Sequence, residues 1–131
     1  MTKRLSITDI LKQKEEIKKA RATRKTADLK LSEMGGAIVT IEEPDRSLVM
    51  DSLEMTKDED DNVNADAFLV YNVMIEPNLK DKELQKEFGC VEPIDIVETL
   101  FSPGTISSIA TQAMRLAGYS DDAEVVESLK N

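Results

Sequence analysis

Hydrophobic positions fall into short blocks along the chain, each with its own period. Ser6-Ile7-Thr8-Asp9 has the form of a capping box, and Ile7, Ile10, Leu11 and Ile17 follow at helical spacing up to about Arg21. This predicts a helix with a thin apolar stripe on a mostly charged surface. Two readings fit it: an arm that stays free until a partner covers the stripe, or a frayed helix lying on its own body. In ADLKLSEMGGAIVTIEE the period changes to two. Leu29 and Leu31 alternate with polar residues, while Ala37, Val39 and Ile41 share a face opposite Ile38 and Thr40. The segment between them, Glu33-Met34-Gly35-Gly36, has glycines that supply positive φ, so the pair reads as a β-hairpin.

Helical spacing then returns. Pro44 and Asp45 open a helix over about 45–56, with Leu48, Val49 and Leu53 on it. Asp58, Asp60 and Asn62 have the spacing of the first calcium-loop ligands, but Val63 and Leu69 stand where glycine and glutamate are needed, which leaves a solvated linker. Asn64 is positioned to cap a largely buried helix through ADAFLVYNVMI that Pro77 ends; a buried strand is the alternative for so short an apolar run.

In EPNLKDKELQKEFG, Pro77-Asn78 breaks the chain, Asp81 caps a short helix and Gly89 stops it. Leu79, Leu84 and Phe88 are expected to pin that helix to the core, with rim contacts to a partner through Lys80, Lys82 and Lys86 as the alternative role of the segment. Pro93 begins another short helix, with Ile94, Val97, Leu100 and Phe101 on one face. Ser102-Pro103-Gly104-Thr105 starts a longer one, lined by Ile106, Ile109, Ala110, Ala113, Met114 and Ala117 and ended by Gly118. These elements give a small single α+β domain, mainly α-helical, in which an N-terminal β-hairpin precedes a bundle of short helices. Its divisions are a basic helical arm over 1–25, the domain over 26–119 and an acidic tail over 120–131, whose SDDAEVVESLKN suits at most a marginal helix.

Charge sharpens that division. Residues 1–25 carry nine basic and three acidic side chains, a net of +6; the remaining residues carry eight basic and 23 acidic, a net of −15. A basic arm on an acidic body reaches for something acidic, its own body included, and the body repels nucleic acid. With 131 residues there is room for one core. Aromatics are 4% of the chain and methionines number six, which points to an aliphatic interior and contacts that repack.

The sequence contains no histidine and one cysteine, Cys90, which removes Ser-His and Cys-His pairs, thiolate metal clusters and disulfides. No catalytic, cofactor or metal residues are assigned. No stretch has the length of a membrane span or the pattern of a signal peptide, and a reducing, cytoplasmic setting is expected. What the residues support is a non-catalytic binding protein.

Residues 67–119 carry a more specific pattern. An apolar helix leads into Pro77-Asn78-Leu79-Lys80-Asp81; Leu84-Gln85 and Gly89 follow, then Val91-Glu92-Pro93, Asp95-Ile96-Val97, Ser102-Pro103-Gly104, Ile106 and Gly118-Tyr119. This succession resembles the XkdN-like tail assembly chaperones of tailed phages and prophages. Phe88 and Cys90 depart from it beside Gly89, as does the adjacency of Val91 and Glu92. The resemblance implies a chaperone that holds the tape measure protein, a long helical rod, soluble before the tail tube forms around it. Tail tube subunits and a second copy of the chain are further candidate partners. It implies action in the bacterial cytoplasm and absence from the mature virion. A structural tail component and an acidic DNA-mimic inhibitor are the alternatives.

Contact with an apolar partner is expected through Ile10, Leu11 and Ile17 of the arm and Ile106, Ile109 and Met114 of the last long helix, unless the latter face is core. Pro77, Asn78, Leu79, Asp81, Leu84, Gly89, Pro93, Pro103, Gly104 and Gly118 are expected to be architectural.

Overall fold

A computed structural model describes residues 4–56 and 62–119. Two short helices, α1 (Ile7–Lys12) and α2 (Lys14–Ala22), precede strand β1 (Thr26–Leu31), a single 3-10 turn (Ser32–Met34) and strand β2 (Ala37–Glu42). Helices α3 (Arg46–Met55) and α4 (Asn62–Val73), strand β3 (Met74–Glu76), and helices α5 (Lys82–Glu87), α6 (Asp95–Leu100) and α7 (Pro103–Leu116) complete the order. Of the acidic linker expected from Lys57 to Asn62, residues 57–61 lie outside the described residues, as does the tail over 120–131, and Asn62 begins α4 instead.

The expected hairpin forms, with its alternation kept. Leu29 faces Val39 and Leu31 faces Ala37 across β1 and β2. Gly35 and Gly36 take φ of 68° and 81°, a region that side chains with a Cβ disfavour. One face of the sheet turns inward through Leu31, Val39 and Ile41, and Ile38 on the other face is exposed.

The expected helix through Ile75 is shorter than its apolar run. It starts at Asn62, so Asn64 sits inside the first turn, and it ends at Val73. Met74–Glu76 instead becomes β3, which joins β2 antiparallel to give the order β1-β2-β3, with an irregularity between Thr40 and Ile41. The strand alternative thus holds only for Met74 and Ile75, the last two residues of that run. The open edge of β2 offers backbone partners there, and Met74 stays buried in the strand.

Helix α4 is apolar on nearly every side because it is central. Ala65, Ala67, Leu69, Val70 and Val73 are buried, and α3, α6 and α7 all pack on it. Helix α7 also lies against β1 and β2, closing the sheet. The core joins Ile41, Leu69, Val70, Leu79, Ile96, Val97, Ile106 and Ile109 into one cluster.

Caps set the ends of these short helices. Asp45 stands just before α3, where its Oδ1 accepts from the Leu48 N–H at 2.8 Å. Asp81 does the same for α5, accepting from Leu84 at 2.9 Å, and Ser102 Oγ accepts from Thr105 at the start of α7. A side-chain oxygen at such a position contributes about 1 kcal/mol.

Candidate functional site

The apolar stripe expected on α7 faces inward. Ile106 is 2% exposed and Ile109 1%, packed between α4 and the sheet, so neither is on the surface of this fold. Their spacing is that of any buried helix face. Met114 is half-buried on the rim of a cleft of about 480 Å³ between α3, α4 and α7, which Leu53, Asp66 and Tyr119 also line. Burial raises the Asp66 pKa above 3.8, because the cleft strips water from its carboxylate. Leu53, which shares helical spacing with Leu48 and Val49, is exposed, and the neighbouring Ser52 is buried.

The arm is different. Neither α1 nor α2 has a buried residue. Leu5 is 73% exposed, Ile7 77%, Leu11 64%, and Ile10 and Ile17 41% each. The capping box is complete: Ser6 Oγ accepts from the Asp9 N–H at 3.1 Å, and the Ser6 N–H donates to Asp9 Oδ2 at 3.3 Å. The single helix expected to Arg21 is interrupted at Gln13 (φ −100°, ψ 11°). The local charges suit an end and a restart: Lys12 lies in the last turn of α1, Glu15 and Glu16 in the first turn of α2.

The arm is tied to the body at its root. Arg24 bridges Glu42 at 3.4 Å and Asp45 at 3.0 Å, and the Glu43 N–H donates to the Lys25 carbonyl at 2.7 Å. Both ion pairs are solvated and contribute at most about 1 kcal/mol each. Beside this root lies a groove of about 400 Å³, walled by Arg21 and Arg24 of the arm, Glu43, Asp45 and Arg46 around the start of α3, and Tyr119 after α7.

The segment EPNLKDKELQKEFG is a brace. Asn78 Oδ1 accepts from the Lys80 N–H at 3.1 Å, Leu79 is fully buried, and Gly89 takes a φ of 66° beyond α5. Phe88 does not pin the helix: it is half-exposed, because it falls after the last turn of α5. Gln85 takes that place, buried, with Nε2 donating to the Leu79 carbonyl at 2.8 Å. The Lys80 ammonium sits 5.5 Å from the Tyr71 ring centre.

Sequence reasoning also missed two carboxylates. Asp95 Oδ2 accepts from the Glu92 N–H at 2.9 Å ahead of α6. Glu33, in the hairpin turn, accepts from the Ser102 N–H at 3.1 Å at the start of α7. That backbone bond, with the Thr105 and Ser102 hydroxyls, holds the Glu33 carboxyl below its ordinary 4.5. Local pattern could not reveal a pairing across 69 positions.

Among the described residues, no three His, Cys, Asp or Glu side chains gather as a metal site, and no helix is long and apolar enough to cross a membrane. The surface offers apolar and basic contacts on an arm with no buried residue, beside a packed body. A family model described as phage XkdN-like tail assembly chaperone protein matches residues 7–130. No curated protein and no solved structure matches the chain.

Proposed function

The chain belongs to the XkdN-like phage tail assembly chaperone family, and from that premise we propose that it binds the tape measure protein, keeps it soluble and aids growth of the tail tube, without catalysis. The observation that supports this reading most is the arm: five large apolar side chains stand exposed on a segment with no buried residue, beside a body whose core is closed. Scattered exposed apolar residues are ordinary, but a run of them on one unburied element suits a partner's apolar stripe.

Ile10, Leu11 and Ile17 are the contact residues on this reading, with Met114 at the cleft rim as a second point. Ile106 and Ile109 leave the contact set, since they hold the core. Met34 and Met50 are exposed as well, and flexible thioethers tolerate an imperfectly matched helical rod. The protein acts in the cytoplasm of the bacterial host and leaves before the particle is finished. Tube subunits and a second copy are further partners.

Co-expression with the tape measure protein tests the reading. The expected result is a tape measure soluble only in company with this chain, co-purifying with it, and a chain missing from purified virions. A tape measure equally soluble alone, with nothing captured, overturns the holdase reading. Presence of the chain in virions favours a structural tail component.

A further inference from the structure

The sheet has two edges of unequal length. β3 is three residues long, whereas β1 presents six, Thr26–Leu31. The hydrogen-bond phase of β1 follows from its start. The Glu43 N–H donates to the Lys25 carbonyl, so these two residues form a bonded pair of the ladder. Antiparallel pairs alternate between bonded and non-bonded, so Ala27, Leu29 and Leu31 turn their backbone groups to Ile41, Val39 and Ala37. The N–H and C=O of Thr26, Asp28 and Lys30 point the other way, out of the edge. Among the described residues, none bonds to these outward groups, and the side chains of Thr26, Asp28 and Lys30 are exposed.

Such an edge recruits another strand unless its side chains forbid it, and a lone charge is the usual obstacle. Here acid and base alternate. Asp28 is held on the outer face, its Oδ1 accepting from Thr40 Oγ1 at 2.7 Å. Lys30 forms no ion pair among the described residues; its stem lies over Gly36, and a change of rotamer brings the ammonium to the edge.

A second copy of β1, laid antiparallel with Leu29 opposite Leu29, complements each of these features. Asp28 then stands opposite Lys30 of the second copy, and Lys30 opposite its Asp28. These are bonded positions, so the N–H and C=O of each residue meet the C=O and N–H of the other. Leu29, half-buried within one copy, meets its counterpart on the inner face at a non-bonded position, where side chains stand closest. Sliding one strand by two residues sets Asp28 against Asp28 or Lys30 against Lys30, so the charges fix the register.

We infer that a second copy of the chain pairs with this edge, β1 to β1, about a two-fold axis at Leu29, and joins the two sheets into one. Both α7 helices then lie on the same side of the joined sheet, and the two arms leave from its opposite ends. The pairing gives a surface to the second copy proposed above as a partner, and it requires no tape measure protein. Its area is small, so the dimer is weak, with a Kd of about 10–100 µM.

Sedimentation of the full-length chain without any partner tests the pairing, with urea midpoints showing that each variant is folded. The parent is expected to dimerise over that concentration range. D28K sets lysine against lysine and K30D acid against acid, so each variant is expected to bind itself at least about tenfold more weakly. An equal mixture of the two variants restores both opposite-charge pairs and is expected to dimerise as the parent does. A parent that stays monomeric, a dimer that neither variant weakens, or a mixture that fails to recover overturns the inference.

Amide exchange locates the contact. The N–H groups of Asp28 and Lys30 are expected to exchange several-fold more slowly as the chain is concentrated, while those of Ala27 and Leu29, bonded to β2, change little. Slowing confined to α1 and α2 assigns the dimer to the arm and overturns the inference. Protection of Asp28 and Lys30 in the dilute monomer assigns the edge to another segment of the same chain, with the same consequence. The tape measure protein is absent from these measurements, so a failed co-expression leaves the pairing standing, and a monomeric chain leaves the arm reading standing.

Discussion

Ile109→Ala separates core from contact on α7. Ile109 is 1% exposed, within the cluster that joins α4, α6, α7 and the sheet. The substitution removes three carbon atoms, worth about 2.4 kcal/mol of transfer free energy at roughly 0.8 kcal/mol each. The void left behind, up to about 80 Å³ if nothing relaxes, adds as much as about 2 kcal/mol at roughly 24 cal/mol per Å³. The expected cost is therefore about 2.5–4.5 kcal/mol, a large part of the stability of a domain this size. Urea unfolding followed by far-ultraviolet circular dichroism measures it, with an unchanged slope against urea showing that the same surface is exposed on unfolding. The companion chain carries I10A, L11A and I17A. These side chains are exposed, so each change should cost less than about 0.5 kcal/mol, and alanine favours the helix. In the pull-down the order reverses: the arm variant loses the tape measure protein, while folded Ile109→Ala retains it. An Ile109→Ala chain that unfolds within about 0.5 kcal/mol of the parent yet fails to bind would refute the reasoning and return α7 to the contact surface.

Gln85→Ala should cost about 1–3 kcal/mol in the same unfolding assay, since the buried Leu79 carbonyl loses the donor at 2.8 Å. Glu33→Gln should make the protein less stable at neutral pH. The folded carboxyl titrates below 4.5, so its contribution is complete above that pH and fades as pH falls through the lowered value; urea midpoints of parent and variant should converge in acid. Asp66→Asn has the opposite sign. Burial raises the folded pKa above 3.8, so the charged form opposes folding at neutral pH; the variant should unfold later than the parent at pH 7 and lose that advantage below pH 3.8.

Legibility followed the range of the interactions. The capping box at Ser6, the hairpin's alternation and the caps at Asp81 and Ser102 depend on residues within a few positions of one another, or on strict alternation, and each was readable before any coordinates. Met74–Glu76 was ambiguous because an apolar run of that length packs equally well as helix or strand, and the free edge of β2 decides between them. The inward face of α7 and an exposed docking stripe have the same spacing; only the arrival of α4 and the sheet tells them apart. Phe88 was placed by side-chain spacing, yet the polar Gln85 is buried because a backbone carbonyl awaits it. The arm stripe was legible as a pattern, and its exposure required the coordinates.

The contact between Glu33 and Ser102 also orders events in time. Synthesis delivers the hairpin early, but its inner face has no lid until α7 emerges, and the carboxylate that fixes the start of α7 waits 69 residues for its donor. Closing so long a loop is slow compared with forming a helical turn. A nascent chain thus passes through an interval in which the arm has left the ribosome while the body is still open. The bonds of the capping box lie entirely within 6–9 and need nothing downstream. On the proposed reading, the docking element is made well before the latch that closes the fold.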